Sequence, residues 1–270
     1  MFGMVAISLA RNGNRSSFGI LGMHRGGQKA RVQSGHNLFS PHYSRNKNMA
    51  TLDQVCEFFH IDPAPVLAKK AKIPIEIPNK GRDQLADCFH ALGFKEGVEI
   101  GVERGNYSEQ LCRRIPGVHL HLVDAWQCYT GYREHVSQEK LDDFFTSTQA
   151  RLAQYHTTFH RGFSVPMSAN IPDGSLDFIY LDAAHNLINV INDLWAWIPK
   201  VRVGGIISGH DFCKRKGQQV GSKSAEVHVA EAITAWTESY HIYPWFLLGT
   251  KAVVEGEIRD RPRSWFWVKL

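Results

Sequence analysis

The chain has 270 residues, 43% of them hydrophobic, enough to bury the core of one large domain or two small ones, and it lacks the run of about 18 apolar residues that a membrane span requires. Its five cysteines (Cys56, Cys88, Cys112, Cys128, Cys213) are scattered and never form a C-x-x-C pair, which argues against zinc and a disulfide framework and suits a reducing compartment. Of the net charge of +5, residues 1–52 supply seven Lys/Arg and no acid, leaving 24 basic against 26 acidic residues, so the folded part is not a basic nucleic-acid-binding module.

Residues 1–48 are rich in Arg, Ser, Gly and Asn and show no sustained apolar periodicity. They fit an organelle transit peptide, a disordered tail, or sequence upstream of a start at Met49, and in each case lie outside the fold. A cytoplasmic or organellar protein is expected, not a secreted one. Residues 52–70 read as two short helices divided by Pro63 and Pro65, and Pro74 and Pro78 mark a linker. These pieces make up a helical N-terminal segment over 49–80, ahead of a main domain over 81–270.

From Asp83 the apolar positions Leu85, Cys88, Phe89 and Leu92 recur at helical spacing, and Gly93 supplies a stop. Strands are then predicted at 97–101, 119–123, 158–161, 176–181, 205–209, 243–248 and 265–269, with helices at 106–114, 137–155, 187–197 and 225–239. This alternation implies a doubly wound α/β fold, a mostly parallel seven-stranded sheet covered by helices on both faces. The last two strands leave no room for a helix between them and should form an antiparallel hairpin at one edge. Trp195, Trp197, Trp236 and Phe246 are assigned to packing.

The first strand runs into Glu99-Ile100-Gly101-Val102-Glu103-Arg104-Gly105-Asn106, an E-x-G-x-x-x-G turn that opens a helix. Glycines let the backbone approach a ligand, and the helix start offers free N–H groups to a carboxylate. The spacing differs from the G-x-G-x-x-G of dinucleotide sites, and Glu99 suits a ligand ammonium better than phosphates. Asp124 ends the second strand about 20 residues later, where it can accept both ribose hydroxyls or, alternatively, cap the next helix.

Two further blocks follow, Leu181-Asp182-Ala183-Ala184-His185 and Gly204-Gly205-Ile206-Ile207-Ser208-Gly209-His210-Asp211-Phe212. Together the four blocks resemble the class I S-adenosylmethionine-dependent methyltransferases, in particular a small Rossmann-like branch with D-x-x-H after the fourth strand and G-H-D-[YF] after the fifth. The likeness covers about residues 82–212, and Ser264-Trp265-Phe266-Trp267-Val268 is similar to that branch's last strand. It implies S-adenosylmethionine as cofactor, with Glu99, Gly101, Gly105 and Asn106 holding its methionine portion and Asp124 its ribose. Trp126 would lie beside the nucleoside, Gly162, Phe163 and Ser164 would flank the adenine, and Asp182 would stand near the methyl group. Ala183-Ala184 departs from the more polar pair of many relatives.

Since the sulfonium already activates the methyl group, the protein must mainly align an acceptor and remove its proton. His185, His210 and Asp211 follow adjacent strand ends and are the candidate catalytic residues, with either histidine as base or as a structural hydrogen-bonding group. Asp182, His210 and Asp211 could instead gather a divalent cation, magnesium rather than zinc, although only two of the three are carboxylates. The other histidines show no metal-ligand spacing. Trp126, Tyr129 and Tyr132 are candidate acceptor-pocket residues, and the basic run 213–224 is a solvated loop or a lid.

The function this implies is methyl transfer to a small-molecule acceptor, with an oxygen nucleophile favoured and neither nucleic acid nor membrane as partner. A non-catalytic binding or assembly factor on the same fold is the alternative. A nicotinamide dehydrogenase is disfavoured by the glycine spacing and by the lack of a Tyr-x-x-x-Lys pair.

Overall fold

The computed structural model describes residues 47–129, 136–213, 227–252, 254–258 and 260–270. In chain order the elements are α1 (Lys47–Phe58), α2 (Pro63–Leu67), β1 (Ile75–Ile77), α3 (Arg82–Ala91), β2 (Glu96–Ile100), α4 (Asn106–Arg114), β3 (His119–Asp124), α5 (Gln138–Leu152) and β4 (Thr157–Arg161). They continue as α6 (Ser164–Met167), β5 (Leu176–Leu181), α7 (Leu187–Trp197), β6 (Val201–Phe212), α8 (Val229–Ser239), β7 (Phe246–Leu248) and β8 (Arg263–Val268). The expected extension over 1–48 falls almost wholly outside the described residues, as do Tyr132 and residues 214–224 of the basic run.

The strands form one sheet in the order β1-β7-β8-β6-β5-β2-β3-β4. Strand β2 pairs parallel with β3 on one side and β5 on the other, so the order reverses there and a crevice opens at its carboxyl end. The expected antiparallel element is present, with β8 running antiparallel between β6 and β7. Two details differ from expectation. The sheet has eight strands rather than seven, because Ile75–Ile77 in the proline-flanked linker pairs with β7. The β7–β8 pair is consequently interior, and β1 is the edge.

Strands β2 and β5 are buried along almost their whole length because both faces are covered. On one face Phe89, Leu111, Leu120, Leu122, Phe178 and Phe266 form a core. On the other Val98, Ile179, Trp197, Ile207, Trp236 and Trp265 do so. The segment ahead of Asp83 packs into the first core: Leu52, Val55, Cys56 and Phe59 of α1 and its following turn are buried there, with Phe59 5.7 Å from the Phe266 ring. Pro63 opens α2 at a position where its missing N–H costs nothing, and Asp62 Oδ1 accepts from Ala64 N at 3.0 Å. Trp197 and Phe246 are fully buried and Trp236 largely so, whereas Trp195 is 68% exposed and meets Trp236 in a T-shaped pair at 6.4 Å.

Candidate active site

The cradle begins where β2 meets β5. Gly101 has φ +92°, and a Cβ there would overlap the Asp182 carbonyl oxygen and lie 2.7 Å from Ala183 Cα. Only glycine permits this backbone approach, which brings the turn after β2 against the end of β5. Gly105, also left-handed, precedes the first turn of α4, where Asn106 is exposed.

Glu99 is buried beneath this turn, where its carboxyl accepts from the Ser108 hydroxyl. Burial pushes its pKa up to about 8, the Ser108 bond opposing and Asp182 and Asp124 adding. The stability conferred by its protonated form is therefore complete below about pH 4.5 and lost as pH rises through about 8. Between pH 6 and 8 the ligand-free protein should lose about 2 kcal/mol relative to Glu99→Gln. Parallel denaturant melts of the two proteins measure this, and identical pH dependence would show that Glu99 ionises freely.

Asp124 ends β3 with Oδ2 accepting from Glu103 N at 2.9 Å and Oδ1 from Trp126 N at 2.8 Å. Burial raises its pKa, and these backbone N–H groups counter the rise. Val102 N–H adds to this set, and the carboxylate keeps acceptor capacity for a ligand hydroxyl. The Trp126 ring does not lie open beside a ligand: it is 1% exposed, packs on Phe145 and Phe159, and its indole N–H donates to the Glu103 carbonyl at 2.8 Å. It braces the glycine turn from beneath. Phe163 is 44% exposed and meets Tyr129 edge-on at 5.4 Å, so both rings are accessible. The Ser164 hydroxyl is engaged by Trp197 Nε1 at 2.8 Å and by Asp193, which ties it to α7 rather than to an open face.

At the ends of β5 and β6, four groups gather. His185 Nε2 is 2.8 Å from Asp211 Oδ2 and 3.7 Å from Asp182 Oδ1. His210 Nδ1 lies 3.5 Å from Asp211 Oδ2 and 3.8 Å from Asp182 Oδ2. Burial alone would lower the His185 pKa, but the two carboxylates raise it to about 9, and Asp211 is held well below the usual carboxylate range by the imidazoles despite its own burial. The His185 contribution to stability is thus complete below about pH 6.5 and fades as pH rises through about 9. Asp211 has φ +58°, a left-handed conformation that aspartate adopts more readily than most residues other than glycine.

His185 Nε2 is itself buried, with Asp211 Oδ2 at 2.8 Å as its nearest carboxylate oxygen. It and one oxygen each of Asp182 and Asp211 lie within 4.8 Å of one another, a set that could hold a metal ion. A cavity of about 20 Å³ lined by Leu181, His185, Asp193 and His210 adjoins this cluster. A much larger one, about 570 Å³, lies at the β1 edge around Val66, Ile75 and Lys251, remote from the strand-end chemistry.

Sequence reasoning missed Arg82, whose guanidinium lies 3.7 Å from Asp182 Oδ2 and 4.8 Å above the Tyr107 ring. Its position at the start of α3, outside every motif, gave no local signal. Asp193 was also missed as a site group; burial raises its pKa to about 6.

Residues 98–212 match the family model described as a methyltransferase domain. Among solved structures, the chain is similar to a Staphylococcus aureus protein assigned as a caffeoyl-CoA O-methyltransferase, at 14% identity over 83% of this chain and 100% of that one, with a TM-score of 0.50. An O-methyltransferase from Bacillus cereus, solved with S-adenosylhomocysteine, matches at 17% identity over 84% and 91% of the two chains with a TM-score of 0.46. An O-methyltransferase of tomaymycin synthesis from Streptomyces achromogenes, solved with S-adenosylmethionine, matches at 13% identity over 85% and 93%, TM-score 0.48. No protein of curated function matches the chain.

Proposed function

On the premise of the methyltransferase-domain match at residues 98–212, we propose that the chain is a class I enzyme that transfers a methyl group from S-adenosylmethionine to an oxygen nucleophile of a small-molecule acceptor. The observation that carries this reading is the contact of Gly101 with Asp182, which joins the glycine turn to the acid–imidazole cluster at the ends of β5 and β6. Gly101, Gly105 and Asn106 hold the methionine end above buried Glu99. The remaining acceptor capacity of Asp124 takes the ribose hydroxyls, and Phe163 with Tyr129 flanks the base. The methyl group is thereby delivered toward Asp182, His185, His210 and Asp211, which orient the acceptor hydroxyl and receive its proton.

Asp124→Asn should weaken S-adenosylmethionine binding about 10- to 100-fold, the loss of a charge-assisted contact of about 1.5–3 kcal/mol. Asparagine is preferable to alanine here because it keeps one acceptor for the Glu103 and Trp126 N–H groups where alanine keeps none, and circular dichroism checks that the variant is folded. Calorimetry with wild type and variant measures the effect, and equal affinity would move the ribose site elsewhere. A radiolabelled methyl-transfer screen across phenols, sugars and carboxylic acids tests turnover. Tight cofactor binding with no transfer to any acceptor would favour a non-catalytic binder.

One observation favours a cation in the cluster as a second reading: His185 Nε2 is buried between two carboxylates, with one oxygen each of Asp182 and Asp211 converging on it within 4.8 Å. Two carboxylate oxygens and one imidazole nitrogen fit a divalent ion such as magnesium or manganese, held by Asp182, His185 and Asp211. When bound, such an ion would acidify and orient the acceptor hydroxyl.

A further inference from the structure

At the opposite end of the sheet a second cluster lies on one face. Glu96 at the start of β2 and His119 at the start of β3 are register partners, and His121 follows two residues on, so all three side chains share a face. Glu96 Oε1 is 2.7 Å from His119 Nδ1 and 2.9 Å from His121 Nε2, and the three atoms lie within 4.8 Å of one another. Along β2, Glu96 precedes Ile100 by four residues, about 13 Å at strand rise, which separates this cluster from the cofactor turn.

The far ring nitrogens are supported as well. His119 Nε2 is 2.9 Å from Thr158 Oγ1, and His121 Nδ1 is 3.0 Å from His160 Nε2, both partners coming from edge strand β4. His156 stacks on His119 with centroids 4.0 Å apart, fixing the ring plane. Metal-ligating imidazoles typically have such an outer partner, which sets the tautomer and directs the inner lone pair at the ion. In a tetrahedral zinc site with bonds of about 2.0–2.1 Å, donor atoms sit about 3.3 Å apart. An opening of about half an ångström from the present spacing therefore admits the ion. The side chains of Glu96, His119 and His121 are 35%, 22% and 13% exposed, which leaves solvent a route to the fourth position.

We propose that Glu96, His119 and His121 form a second, non-catalytic site for a late first-row divalent cation, zinc above all, with Thr158 and His160 as its outer support. Two imidazoles and one carboxylate favour such an ion over magnesium. The bound ion would clamp β2 and β3 and, through the outer pair, edge strand β4.

The test is uptake of zinc by the full chain after chelator treatment and desalting, measured by equilibrium dialysis, with cobalt absorbance to report tetrahedral geometry. Wild type should hold one equivalent that both His119→Gln and His121→Gln lose, and the Asp182→Asn/Asp211→Asn double variant should keep it. His160→Ala and Thr158→Val, which leave all three ligands in place, should weaken it about 10- to 100-fold. Circular dichroism checks folding, and if a histidine variant fails to fold, these two outer variants decide. Zinc uptake unchanged in His119→Gln and His121→Gln, or unchanged affinity in both outer variants, overturns the proposal. So does loss of all bound zinc in the double aspartate variant.

Discussion

Gly101→Ala should destabilise the protein by about 3–5 kcal/mol and abolish cofactor binding in whatever fraction remains folded. Two costs add. A left-handed backbone at φ +92° is strained for alanine by about 1–3 kcal/mol, and the new methyl must displace backbone rather than a pliant side chain, a further 1–3 kcal/mol or more. Gly93→Ala is the matched control. It has φ +72° at the end of α3, but nothing stands within 4 Å of the added Cβ, so it carries only the first cost. Chemical denaturation of both variants should show Gly101→Ala the more damaging by at least about 1 kcal/mol. Equal losses would mean that β2 and β5 can separate at their carboxyl ends, and the shared Gly101–Asp182 contact could not be what aligns cofactor and acceptor.

What the sequence made legible is what depends on short range. The E-x-G-x-x-x-G turn, Asp124 at a strand end, and the strand–helix alternation from Gly97 to Ser239 all express local backbone geometry and periodicity, and each sits in the fold where its pattern placed it. Strand β1 escaped because three residues between Pro74 and Pro78 carry no detectable period, and only pairing with β7 makes them a strand. The burial of Trp126 was not legible because its position on a loop is local but the direction of its ring is set by Phe145 and Phe159, which lie 19 and 33 residues further on. Arg82 reaches Asp182 from a helix 100 residues earlier in the chain. The Glu96, His119, His121 and His160 cluster draws on three strands. Its one local trace was the His-x-His of β3, which alone cannot be told from ordinary strand alternation.

Asp211→Asn should lower kcat by about two to four decades while leaving S-adenosylmethionine affinity within about threefold, since Asp211 borders the acceptor rather than the glycine turn. Asparagine tolerates the left-handed backbone that Asp211 occupies, so the variant separates chemistry from folding. The pH profile then identifies the proton acceptor. With its pKa raised to about 9, His185 is mostly imidazolium at neutral pH, so a wild-type rate that depends on its neutral form should climb about tenfold per unit toward pH 9 and level off. His185→Gln should flatten that climb. If an ion bound by Asp182, His185 and Asp211 does the work, chelator should abolish turnover and magnesium or manganese restore it, while Asp182→Asn and Asp211→Asn stay inactive at any metal concentration. Full kcat in Asp211→Asn would remove the ion version, and full kcat in His185→Gln would remove the histidine version. Methyl transfer would then rest on alignment between the Gly101 turn and the end of β5 alone.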